Sequence, residues 1–148
     1  MSNQQTKLIT KILIANRGEI ARRIIATCRE MGIITVAIYS EADKYAPFVE
    51  EADEAIAIGG YQFGESYLDM DRVVEAAQRS GANAIHPGYG VLSENAAFAK
   101  RCEEAGIIFI GPRAEAIEQM GDKKTAKALV QQHNVPVIPG YDGEDQTP

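Results

Sequence analysis

Five short apolar runs punctuate the chain: ILIA at 12–15, TVAIY at 35–39, AIAI at 55–58, AIH at 84–86 and IIFI at 107–110. They are nearly continuous rather than alternating. Strands buried on both faces read this way, and such strands are usually parallel. Most of the gaps between them have room for a crossover helix. In the first gap Ile20, Ile24, Cys28 and Met31 recur at helical spacing, Arg22, Arg23, Arg29 and Glu30 face away, and Gly32 supplies a stop. In the third, Met70, Val73, Val74 and Ala77 form one face, with Asp69 as N-cap and Gly81 after the end. In the fourth, Phe98, Cys102 and Ala105 form a stripe that Gly106 ends. The second gap offers only PFVEEA, a short helical turn. Strand and helix alternating in this way predict an α/β fold, an open, doubly wound, Rossmann-like parallel sheet.

Two further helical stretches follow Gly111-Pro112, at 113–120 and 123–133, broken at Gly121. The stretch VPVIPGYDGEDQTP then has three prolines and no periodicity, and reads as a connector. A chain that ends on a connector reads as unfinished.

Composition narrows the partners. Apolar residues make up 45% of the 148 positions and charged residues 24%, as in ordinary globular proteins. The net charge of −6, with scattered Lys and Arg, argues against nucleic acid. No run is long enough to span a membrane. Cys28 and Cys102 sit in apolar positions of separate helices and read as core thiols, which suits a reducing compartment: the cytoplasm, or an organelle matrix. His86 and His133 lack ligand-like spacing, so no metal site is expected.

Ligands of doubly wound sheets sit at the carboxyl ends of the strands, and three loops there bear weighing. NRGEIA (16–21) has only Gly18 where a dinucleotide turn needs several glycines. Glu19 already satisfies the positive end of the helix dipole and would repel an anion, so a tight strand-to-helix turn is the plainer reading. HPGYGVLSEN (86–95) packs Pro87, Gly88, Tyr89 and Gly90 together, with Ser93 or Asn95 available as a helix cap and Glu94 in the first turn. It is either a capped Pro-Gly turn or a loop that a ligand approaches closely. Near 122, Asp122 can cap a helix whose first residue, Lys123, opposes the dipole. Lys123 is either a solvated lysine or a cation placed for a phosphate. No P-loop, nucleophile elbow or HExxH motif is present.

Taken together, KILIANRGEIA (11–21), HPGYGVLSEN (86–95), FIGP (109–112) and MGDK (120–123) resemble the N-terminal region of biotin carboxylase, the component shared by acetyl-CoA, propionyl-CoA, methylcrotonyl-CoA and pyruvate carboxylases. The resemblance spans residues 9–148. It implies a polar tail at 1–10, a pre-ATP-grasp domain at 11–121, and the opening of an ATP-grasp region with a connector at 122–148. It also implies the family reaction: ATP activates bicarbonate to carboxyphosphate, and the carbon dioxide released carboxylates a ureido nitrogen of biotin on a carrier protein. Lys123 matches the family's ATP-binding lysine. Tyr89 and Gly90 match the loop on the biotin and bicarbonate side, and Glu94 stands behind them. On this reading Tyr89 and Lys123 face one shared hollow. Asn16, Arg17 and Glu19 match a signature and are given structural or domain-contact roles.

In the family, the glycine-rich lid, the magnesium ligands, the catalytic glutamate and the biotin-side arginine lie later in the chain. The resemblance therefore assigns no catalytic and no metal-binding residue here, and implies that these 148 residues alone do not turn over ATP. The implied partners are a biotin carboxyl carrier protein or domain, the missing ATP-grasp and C-terminal domains, and a carboxyltransferase component. IPGYDGEDQ (138–146) resembles the methylcrotonyl type, although the biotin carboxylase half never touches the acyl acceptor. Two alternatives stand beside this reading: the pre-domain of another ATP-grasp ligase, and a non-catalytic module that binds a ligand or partner.

Overall fold

The computed structural model describes residues 8–138. Five strands, β1 (Lys11–Ile14), β2 (Ile34–Ser40), β3 (Glu54–Gly59), β4 (Ala84–His86) and β5 (Ile108–Phe109), form one sheet in the order β3-β2-β1-β4-β5. Every pairing is parallel, as the continuous apolar runs predict. The helices are α1 (Gly18–Glu30), α2 (Pro47–Glu51), α3 (Met70–Ser80), α4 (Ala96–Glu104), α5 (Ala114–Gly121) and α6 (Lys123–Gln132).

Side chains alternate along β1, and this splits the core in two. Ile12 and Ile14 pack with Ile20, Ile24, Ile25 and Cys28 of α1 and with Phe48 of α2. Leu13 packs on the opposite face with Val73 and Val74 of α3 and with Phe98 and Cys102 of α4. Each such buried Leu, Ile or Phe contributes about 1.5–3 kcal/mol through removal of apolar surface from water. Helices on both faces confirm the doubly wound class. On the α1 face, an apolar groove of about 720 Å³ is lined by Leu8, Ile24, Met31, His86 and Ile110, among others.

Helix ends follow the sequence closely. Asp69 caps α3, Asp122 caps α6, and Gly32, Gly81 and Gly106 take positive φ just past their helices. Three details differ. Met31 lies beyond α1 as its C-cap and is 68% exposed, because the apolar stripe ends one turn earlier, at Cys28. Gly121 is the last residue of α5, so the break falls at Asp122. IIFI yields a strand of only two residues, Ile108–Phe109. Leu8 and Thr10, assigned to the tail from sequence, are bound to Asn83: its side-chain amide donates to the Leu8 carbonyl at 2.7 Å, and its oxygen accepts from Thr10 N–H at 3.1 Å. The stretch 139–146 behind the methylcrotonyl-type resemblance lies outside the described residues.

Candidate functional site

The chain runs β1 to β2 to β3 toward one edge, and β4 then returns to the other side of β1. Strand order therefore reverses between β1 and β4, and doubly wound sheets bind ligands in the crevice at such a point. NRGEIA follows β1 and HPGYG follows β4, so the two motifs emerge side by side. Ile14 pairs with His86, and Ala15 N–H donates to the His86 carbonyl at 2.9 Å.

Asn16 joins the two loops. Its side chain is buried, and its amide nitrogen donates to the carbonyls of Pro87 at 2.8 Å and Tyr89 at 2.7 Å. Its oxygen accepts from Arg17 N–H at 2.9 Å. Gly88 has φ +63°, and a Cβ there would lie 2.8 Å from the Asn16 amide nitrogen and 3.0 Å from Ile20 Cγ1. Gly90 has the same φ, but a Cβ there would meet nothing within 4 Å. Glycine is thus required at 88 by crowding and conformation together, and at 90 by conformation alone. The Tyr89 ring stands 61% exposed, and its hydroxyl donates to Glu19 Oε1 at 2.6 Å. That bond pushes the Tyr89 phenol above its ordinary range. His86 Nδ1 accepts from Gly88 N–H at 3.0 Å, and burial, with Arg23 nearby, holds the imidazole below its usual range.

Arg17 points elsewhere. Its guanidinium makes a two-pronged bond to Asp43, at 2.6 and 2.5 Å, and lies 5.7 Å from the centroid of the Phe63 ring. Tyr67, also buried, donates its hydroxyl to Asp43 at 2.6 Å and accepts from Ser40 N–H at 3.2 Å. The Arg17 hydrogen bond holds the Asp43 carboxyl below the usual range, and burial pushes the Tyr67 phenol up to about 12. This network ties the turn after β1 to the end of β2. The Arg17 guanidinium thus bonds within the chain, to Asp43.

Lys123 is the first residue of α6, as expected, and lines a hollow of about 640 Å³ with Ser93, Glu94, Pro112, Ile117 and Met120. Tyr89 does not line that hollow, which departs from the single shared opening inferred for Tyr89 and Lys123. The reason is local. Asn16 and Glu19 draw the first half of the loop after β4 toward α1, while Ser93 and Glu94 in its second half face Lys123. Glu94 is also not in the first turn of α4. Asn95 is the cap, its oxygen accepting from Phe98 N–H at 2.9 Å, and Glu94 precedes it. Glu19 does sit in the first turn of α1, where its charge meets the dipole, but its bond to Tyr89 was not foreseen. Nor was the Asn16 clamp, whose partners lie more than seventy residues away with no periodic signal to link them. Among the described residues no group of three or more His, Cys, Asp or Glu converges in a way that could hold a metal ion.

Residues 8–117 match the family model described as "Biotin carboxylase, N-terminal domain". A biotin carboxylase of Halalkalibacterium halodurans is 58% identical over 135 residues, covering 91% of this chain and 30% of that protein. The mitochondrial methylcrotonoyl-CoA carboxylase subunit alpha of Dictyostelium discoideum is 56% identical over 141 residues, covering 95% of this chain and 20% of that protein. The solved biotin carboxylase domain of a thermophilic 2-oxoglutarate carboxylase, bound to bicarbonate, superposes with a TM-score of 0.88 at 50% identity, covering 94% of this chain and 32% of that one. The chain thus spans less than a third of the length of these relatives.

Proposed function

The chain belongs to the biotin carboxylase N-terminal domain family, and from that premise we propose that it serves as one wall of an ATP-dependent biotin carboxylase, a ligase that forms a carbon–nitrogen bond. The overall reaction joins bicarbonate to a ureido nitrogen of biotin on a carrier protein or domain, driven by conversion of ATP to ADP and phosphate. A carboxyltransferase component would then pass the carboxyl group to its acceptor. The observation that carries this reading is the hollow between the loop after β4 and the start of α6, which brings Glu94 and Lys123 together.

Lys123 binds the nucleotide: its ammonium offsets phosphate charge, and an anion there relieves the conflict between a lysine and the positive helix end. Tyr89 and Gly90 form the biotin and bicarbonate side, with the exposed ring and the open space at Gly90 available to a bicyclic ligand. We assign the catalytic groups, the magnesium ligands and the closing lid to ATP-grasp and C-terminal domains beyond these residues, and place the boundary with the first of these at 121/122. The restart of helix at the Asp122 cap supports that division, as does α6, which buries none of its residues here. Two buried free thiols fit a reducing location such as the cytoplasm.

The test uses the gene product that contains this chain, assayed for ATP turnover dependent on bicarbonate and biotin. Lys123→Ala removes a charge-assisted contact worth roughly 1.5–3 kcal/mol, so ATP affinity falls about 10- to 100-fold. Unaltered nucleotide affinity in that variant would overturn the assignment. The 148 residues alone should show no turnover above a buffer blank.

A further inference from the structure

NRGEIA resembles a ligand-binding turn in its position after β1, yet its polar side chains are engaged within the chain. We propose that Asn16 and Glu19 are positioning residues for the loop after β4, holding Tyr89 and Gly90 in the geometry that receives biotin; this rests on the biotin carboxylase reading above. Asn16 uses both amide hydrogens on the carbonyls of Pro87 and Tyr89, and its oxygen on Arg17 N–H. A buried side chain with donors and acceptor so occupied acts through the loop it grips, not on a ligand.

The grip fixes the loop at two points, one on each side of Gly88. A Cβ at Gly88 would meet Asn16 and Ile20, so only glycine lets the loop lie this close to α1. Glu19 then takes the Tyr89 hydroxyl at 2.6 Å, so the phenol tip is anchored while the ring face stays exposed. Gly90, one residue on, faces open space. The loop therefore has a held half, Pro87–Gly88, and a presented half, the Tyr89 ring and Gly90. A ligand would meet the flat ring and the main chain at Gly90, and the Tyr89 hydroxyl would already be engaged. The two motifs are one unit: NRGEIA sets where HPGYG stands.

The test measures steady-state kinetics of the gene product containing this chain, together with hydrogen exchange of the Gly88 and Ser93 amides, which donate to His86 Nδ1 and the Gly90 carbonyl. Asn16→Ala and Glu19→Ala should each raise the KM for free biotin at least fivefold and leave the KM for ATP within twofold. Glu19→Gln keeps an acceptor for the Tyr89 hydroxyl and should restore most of the loss. Asn16→Ala should speed exchange at the Gly88 and Ser93 amides at least tenfold, with the amides of β1 and β2 unchanged. Val73→Ala serves as a control. It loosens the buried core against α3 and should lower the melting temperature without moving the biotin KM. If Asn16→Ala does not fold, the Glu19 pair carries the test. An unmoved biotin KM in Glu19→Ala, or equal loss in Glu19→Ala and Glu19→Gln, overturns the assignment of Glu19. Unaltered exchange at Gly88 and Ser93 in a folded Asn16→Ala overturns the clamp. A wild-type protein without biotin-dependent turnover would instead defeat the functional reading, and exchange would still decide the clamp.

Discussion

Asp43 shows how one residue can fix a turn. It is buried, and it accepts hydrogen bonds from Arg17 and Tyr67, which come from segments on either side of it in the chain. Asparagine there removes the charge and turns one of its two acceptor oxygens into an NH2 donor, so at least one of these donors loses its partner. Hydrogen bonds to charged groups contribute roughly 1.5–3 kcal/mol, and Asp43→Asn should cost an amount near the lower end. Arg17 is 42% exposed, and water screens that side of the pair. The pH dependence has a definite sign. Arg17 depresses the folded carboxyl below its ordinary value of 3.8, so the stabilisation is complete above that value. It is lost as pH falls through the depressed folded value. The stability gap between wild type and Asp43→Asn should therefore be full at pH 7 and narrow below about pH 4. Urea unfolding of both proteins at pH 7 and 3.5 checks this, and a gap of equal size at both would remove Asp43 from the account. None of this was legible in the sequence. Arg17, Asp43 and Tyr67 follow no common period, and a polar residue's partners across a fold leave no mark on local patterning.

Elements were far more legible than their contacts. A continuous apolar run signals a strand covered on both faces wherever it lies, and all five runs became strands of one parallel sheet. Helix starts were readable at Asp69 and Asp122 because a cap is a local event between a side chain and an amide three residues on. Short elements were harder. The single 3₁₀ turns at Glu41–Asp43 and Phe63–Glu65 have too few residues to show a period. The loop after β4 was legible as special, but its division into held and presented halves was not, because that depends on what stands opposite each glycine. This division makes a prediction at the level of the loop. Gly90→Ala should cost about 1–2 kcal/mol, the strain of a non-glycine residue at positive φ. Gly88→Ala adds a Cβ that meets Asn16 and Ile20 within 3.0 Å, and should cost measurably more. Equal unfolding free energies for the two variants in urea would show that crowding at 88 is relieved without loss. One cap offers an independent measure: Asn95→Ala should cost about 1 kcal/mol through the lost bond to Phe98 N–H.

At the scale of the whole molecule, the sheet separates two cores that share a wall. Ile12 and Ile14 of β1 belong to one and Leu13 to the other, so β1 cannot leave without opening both. The two cysteines report on them separately, since Cys28 lies in the α1 layer and Cys102 in the layer of α3 and α4. Both are free and buried. Burial pushes the Cys28 thiol up and the Cys102 thiol up to about 12. The thiolate is the reactive form, so neither should react with an aromatic disulfide reagent at pH 8 while the fold is closed. Two variants, Cys28→Ala and Cys102→Ala, each leave one reporter. If the shared strand makes the layers a single cooperative unit, each thiol becomes reactive at the urea midpoint that circular dichroism reports for that same variant. Labelling of Cys28 well before the dichroism midpoint, with Cys102 still protected, would mean that the α1 layer detaches first. In that case the loop clamp, with Glu19 in the first turn of α1 and Asn16 just before it, would fail before the rest of the fold. Coincident midpoints would tie the geometry of the candidate site to the global stability of the sheet.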